Sequence, residues 1–216
     1  MRRMFLPTGI RERLMGSMVN KICRFGLIIG IFLTFVYVPT ADAASEPCNN
    51  TYPSGKLKAI DSVSRLKVGD KAPDFNLPAV SGERISLNQY LGKKNIVLSF
   101  EPAAWTPFCS DQWPGYNIIK NLFDRYDSML LGITVDNLPT LSAWTKQMEL
   151  WFPVLSDFWP HGAVAEKYGV LRSDGVSERA LFVIDKEGIV RYIDVHDINR
   201  RPPLEDLVNA LEKLSR

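Results

Sequence analysis

Asn95-Ile96-Val97-Leu98-Ser99-Phe100, followed by Pro102-Ala103-Ala104-Trp105-Thr106-Pro107-Phe108-Cys109, is the stretch on which the fold turns. The first six residues have the length and β-branching of a buried strand. The next eight form a proline-bracketed turn. A helix is expected from about Pro107 to Tyr126, with Pro107 near its first turn and with Pro114 kinking or interrupting it. A thiol at a helix start meets unpaired backbone N–H groups and a partial positive charge, and both favour thiolate over thiol. Thr106, three residues earlier, can place a hydroxyl beside the sulfur. A lone cysteine is more often a small buried hydrophobe, but one placed at a strand-to-helix turn reads as a nucleophile.

Further along the chain, Met129-Leu130-Leu131-Gly132-Ile133-Thr134-Val135 is a second buried strand. Thr140 to Met148 reads as a helix and Gly162 to Tyr168 as a short one. Arg179 to Asp185 and Ile189 to Val195 are strands joined by Lys186-Glu187-Gly188, a short glycine-containing turn that makes a hairpin. Leu204, Leu207, Val208, Leu211 and Leu214 share one face of a terminal helix. The order strand, helix, strand, helix, hairpin, helix predicts an α/β fold of thioredoxin-like architecture, a mixed sheet with helices on both faces.

Residues 1–43 do not belong to that domain. Lys21 and Arg24 precede an apolar run from Phe25 to Val38, and Ala41-Asp42-Ala43 is a small-residue cleavage pattern. Basic, apolar and small, in that order, is a secretory signal. It is either cleaved after Ala43 or kept as an N-terminal anchor, and both place the domain outside the cytoplasm. Residues 44–66 are polar and irregular and are expected to form a flexible arm. Residues 67–216 are the domain, which Val68-Gly69-Asp70-Lys71-Ala72-Pro73-Asp74-Phe75 opens. The leader also carries the chain's basicity: residues 44–216 hold 20 Lys/Arg and 22 Asp/Glu. No basic stripe remains to suggest a nucleic-acid partner.

Pro102, Thr106 and Cys109 match the P-x-x-x-T-x-x-C signature of peroxiredoxins, the AhpC/TSA superfamily. Val68 to Phe75 resembles the opening of that family. Ser156 to Val164, with Tyr168-Gly169-Val170, resembles its AhpE-type one-cysteine branch. Arg179 opens a strand 70 residues past Cys109, as the second family arginine does. The resemblance spans about residue 66 to the C-terminus. It implies that Cys109 attacks a peroxide and becomes a sulfenic acid. Arg179 would then lower the thiol pKa and hold the peroxide. Thr106 would hydrogen-bond sulfur and substrate, and Pro102 would shield the sulfur from water. An outside thiol or thioredoxin-like reductant would recycle the enzyme, and a homodimer is implied. Many family members carry Glu three residues after the reactive cysteine, where this chain has Gln112.

Arg179 alone would read as a surface ion-pair residue, and Thr106 could cap the helix with Pro107 at its first position. Cys48 is either a resolving cysteine or a thiol on the arm. No His/Cys/Asp cluster has metal-ligand spacing and no cofactor is implied. The runner-up activity is an exported thiol–disulfide oxidoreductase of the same fold, which normally needs Cys-x-x-Cys where this chain has Thr106-Pro107-Phe108-Cys109. A catalytically idle binding module is the third reading.

Overall fold

The computed structural model describes residues 51–214 apart from 54 and 65. The expected signal segment and Cys48 lie outside the described residues. A two-stranded antiparallel ribbon of β1 (Asn76–Pro78) and β2 (Arg84–Ser86) precedes a five-stranded sheet. The sheet runs β5 (Val154–Ser156), β4 (Ser128–Thr134), β3 (Asn95–Phe100), β6 (Arg179–Ile184), β7 (Val190–His196). β3, β4 and β5 are parallel; β6 runs antiparallel to β3, and β7 runs antiparallel to β6 in the hairpin. The mixed sheet agrees with the sequence reading. The three-residue strands β1, β2 and β5 are too short to show a period.

The two-residue period of β3 sorts the core into two layers. Ile96, Leu98 and Phe100 enter one apolar cluster with Phe182 of β6, the β1–β2 ribbon and α4 (Ala163–Lys167). Val97 enters the other, with Leu181 and Val183 of β6. That second layer is covered by α1 (Cys109–Ile118), α2 (Lys120–Arg125), α3 (Leu138–Gln147) and α5 (Leu204–Leu214). Helices thus lie on both faces. The two tryptophans Trp113 and Trp144 pack with ring centroids 5.0 Å apart. Gly132 gives Trp113 its room: a Cβ there would stand 2.6 Å from the indole Cη2.

The single helix expected over 107–126 is two helices. It begins at Cys109, and the break falls at Ile119, not at Pro114, which sits inside α1. Pro114 lies in the second turn, so the carbonyl it leaves without a partner is at the helix start.

The arm also differs from the loose segment its polarity suggested. Tyr52 N–H donates to Trp105 O at 2.7 Å, and Ile198 N–H donates to Ala59 O at 3.0 Å. Asn199 makes two bonds to the Leu57 main chain, each 2.9 Å. Glu178 Oε1 accepts from Asp61 N–H and Ser62 N–H. Both anchoring side chains are more than 110 residues away in sequence, so local composition carries no sign of them.

Candidate active site

β3 and β6 pair with Phe100 opposite Ala180. One step further along that antiparallel register sets Glu101 opposite Arg179. Both have the parity of Val97, Leu181 and Val183, so both face the layer in which α1 lies. α1 begins with Cys109. A cysteine and an arginine 70 residues apart thereby meet: Arg179 Nη2 donates to Cys109 Sγ at 3.4 Å. Arg179 Nη1 donates to Glu101 Oε2 at 2.5 Å and to Gln112 Oε1 at 2.7 Å. Nη2 also reaches Ile198 O at 3.3 Å. Cys109, Glu101, Gln112 and Arg179 are each no more than 1% exposed.

Thr106 and Pro102 complete the group read from the sequence. Pro102 is buried, and both residues line the cavity beside Arg179. Thr106 Oγ1 donates to Ala103 O at 3.0 Å and lies against Cys109. One hydroxyl proton serves one acceptor, so donating to a thiolate requires it to turn from that carbonyl. Thr106 is not a helix cap. Phe108 precedes α1 without a side-chain cap bond, and Thr106 contributes only its carbonyl, to Ser110 N–H.

The electrostatics correct the simplest expectation from the helix N-terminus. Burial, and after it the Glu101 charge, push the Cys109 thiol up to about 12, while Arg179 and Thr106 pull it down. Leaving water costs an anion more than one helix end returns. Burial also raises the Glu101 carboxyl, against the lowering influence of Arg179. One buried cation faces two acids, so the site favours a single anion and the two acids compete for it.

Above Arg179 is a cavity of about 490 Å³ lined by Tyr52, Leu57, Pro102, Thr106, Phe108 and Ile198, among others. Its wall is largely apolar, and the arm supplies part of it. A larger cavity, about 740 Å³, opens at the far end of β3 among Arg125, Asp127, Lys186 and Lys213, and no cysteine lines it. Among the described residues no cluster of His, Cys, Asp or Glu is built to hold a metal ion. Cys109 is the free cysteine among them, and Cys48 lies outside them.

Sequence reasoning missed Glu101, Asn199, Tyr52 and Leu57. Glu101 had a signal: a carboxylate abutting an unbroken apolar strand is expensive to bury unless an opposite charge meets it. The remaining three depend on long-range contacts with no local mark.

The AhpC/TSA family profile matches residues 68–193, more than half of the chain. The chain belongs to the AhpC/TSA family. As a peroxiredoxin it is a thiol-dependent peroxidase, and the oxidoreductase alternative, which lacked its second motif cysteine, is not favoured. It is 40% identical over 131 residues to alkyl hydroperoxide reductase E of Mycobacterium tuberculosis, a match covering 60% of this chain and 86% of that one. It is 32% identical over 159 residues to a chloroplastic 2-cysteine peroxiredoxin of Chattonella marina var. antiqua, covering 69% and 80%. Among solved structures, the reduced 2-Cys peroxiredoxin of Plasmodium vivax superposes with TM-score 0.65 at 27% identity, over 69% of this chain and 82% of that one. Peroxidoxin BcpB of Mycobacterium tuberculosis gives 0.62 at 26% identity, over 69% and 99%.

Proposed function

We propose that Cys109 is the residue of this peroxiredoxin that reacts with peroxide, with Arg179, Thr106 and Pro102 serving it. The observation that carries this is the 3.4 Å contact between Arg179 Nη2 and Cys109 Sγ beneath the cavity. The Cys109 thiolate attacks one peroxide oxygen; an S–O bond forms and the O–O bond breaks. Sulfur is oxidised to sulfenic acid, and the distal oxygen leaves with the electron pair and gains a proton. Arg179 lines the cavity, and its buried Nε, without a partner among the described residues, is a spare donor beside it. Donors fixed where charge develops lower the barrier without reorganising.

The substrates are hydrogen peroxide and organic hydroperoxides; the apolar cavity wall and the name of the mycobacterial relative support the second class. An external thiol, small or thioredoxin-like, recycles the sulfenic acid. The enzyme is exported, on the strength of the basic, apolar and Ala41-Asp42-Ala43 order in the leader. A homodimer belongs to the same reading, with exposed Phe158 and Trp159 offering apolar surface.

Peroxide consumption by purified wild type and Cys109→Ser, each with a thiol reductant, tests the assignment. Wild type consumes peroxide and folded Cys109→Ser does not, because a serine hydroxyl supplies no comparable anion at neutral pH. Turnover surviving in that variant overturns it.

A further inference from the structure

The arm lies outside the family match. The AhpC/TSA profile covers residues 68–193, which leaves out both the arm and the loop after β7 that holds it. Both nevertheless converge on the site. Tyr52 N–H donates to Trp105 O at 2.7 Å, in the turn that leads to Cys109. On the other side Asn199 grips Leu57 by its main-chain N–H and carbonyl. Ile198 ties the arm to the arginine. Its N–H donates to Ala59 O at 3.0 Å, and its carbonyl accepts from Arg179 Nη2 at 3.3 Å. Glu178, which precedes Arg179, accepts from Asp61 N–H at 2.6 Å and from Ser62 N–H at 2.7 Å. The arm is thus fixed to two separate parts of the cavity lining and set in register with the side chain that meets Cys109 Sγ.

The cavity so enclosed is far larger than the smallest peroxide requires. A water occupies about 30 Å³, and hydrogen peroxide about twice that. The cavity is about 490 Å³, within the range of about 300–1,000 Å³ typical of small-molecule sites. Arg179 and Thr106 bring polar groups to it beside Cys109; Tyr52, Leu57, Phe108 and Ile198 bring apolar surface. Two of the aromatic side chains stand open to solvent, Tyr52 at 70% and Phe108 at 41%. An apolar group seated against them removes that surface from water, and this favours binding.

We infer that the arm is the specificity element of this enzyme: Leu57 and Tyr52 form the wall that receives the apolar group of an organic hydroperoxide while its peroxide oxygens lie at Cys109. This rests on Cys109 being the peroxide-reactive residue. The arm adds nothing to the bond-making step. It contributes binding that an alkyl or aryl hydroperoxide gains and hydrogen peroxide, with no carbon, does not.

The test is a thiol-coupled peroxidase assay of wild type, Leu57→Asn, Leu57→Met and Tyr52→Ser with cumene hydroperoxide and with hydrogen peroxide. In a ping-pong enzyme kcat/KM for the peroxide reports the oxidative step alone, and kcat/KM for the thiol reports recycling. Asn199 holds Leu57 by its main chain, so these side-chain changes leave the anchoring bonds in place. The quantity read is the ratio of kcat/KM for cumene hydroperoxide to that for hydrogen peroxide. It should fall about tenfold in Leu57→Asn, the scale of a lost apolar contact in a pocket, and several-fold in Tyr52→Ser. Leu57→Met, which conserves volume and apolarity, should keep the wild-type ratio. A wild-type ratio in Leu57→Asn and Tyr52→Ser overturns the proposal while the peroxidase reading stands. Leu57→Met with a ratio as low as Leu57→Asn overturns it too, since apolarity would then not be what the wall supplies. A wild-type ratio joined to a lowered kcat/KM for thioredoxin, with dithiothreitol unaffected, would make the arm a dock for the reductant and likewise overturn it. Wild type that consumes neither peroxide would instead overturn the role of Cys109, and the arm's role with it.

Discussion

Replacing Arg179 with Met removes the one cation of the buried site while keeping much of its volume. Glu101 is left without its counter-ion, and Gln112 Oε1 and Ile198 O lose a donor. Breaking a buried pair from one side costs about 3–5 kcal/mol. Glu101 can escape by taking up a proton. From an ordinary carboxyl value near 4.3, holding that proton at pH 7 costs about 4 kcal/mol, and at pH 5 about 1 kcal/mol. The sign follows from the direction of the shift. The folded Glu101 carboxyl is raised above its unfolded value by burial, and without Arg179 nothing nearby opposes that rise. Its protonation therefore favours the fold below the ordinary carboxyl range, and this contribution is lost as pH rises through the raised value. Urea unfolding of wild type and Arg179→Met at both pH values reads the difference. The lost donors to Gln112 and Ile198 weigh equally at both pH values, so the variant should be destabilised by about 3 kcal/mol more at pH 7 than at pH 5. The same variant should react with peroxide about 10- to 100-fold more slowly, since a hydrogen bond to a charged group contributes about 1.5–3 kcal/mol. A penalty equal at the two pH values, or peroxide reaction at the wild-type rate, refutes the reasoning.

Two further outcomes follow from contacts outside the ion pair. Gly132→Ala drives a methyl group against the Trp113 indole and should lower stability by about 1–3 kcal/mol, read from a urea melt, through overpacking. Asn199→Ala removes both bonds to Leu57 and frees the arm wall of the cavity. It should raise KM several-fold for a long-chain alkyl hydroperoxide and leave hydrogen peroxide nearly unaffected, in a thiol-coupled peroxidase assay.

What was legible in the sequence was what is local or periodic. β3, β4 and the β6–β7 hairpin were visible as apolar runs because each is buried on both faces or turned by a glycine. Cys109, Thr106 and Pro102 lie within eight residues and carry their own signature, whereas Arg179 came only from the resemblance to the family and by itself would read as a surface ion-pair residue. The protonation balance was not legible. A helix N-terminus pulls a thiol pKa down, but only the folded site shows that Cys109 is out of water and that Glu101 competes for the same arginine. The arm was misjudged for a related reason. Its polar residues suggested solvent, whereas Glu178 and Asn199 wait for its backbone N–H groups from the far end of the chain.

The most direct test of the central claim is the intact mass of the reduced protein before and after one equivalent of hydrogen peroxide, with a sulfenic-acid trapping reagent and peptide mapping. The account predicts trapped sulfenic acid on Cys109 in wild type and none in Cys109→Ser. Oxidation confined to another residue, or a wild-type protein whose mass is unchanged by peroxide, would contradict it.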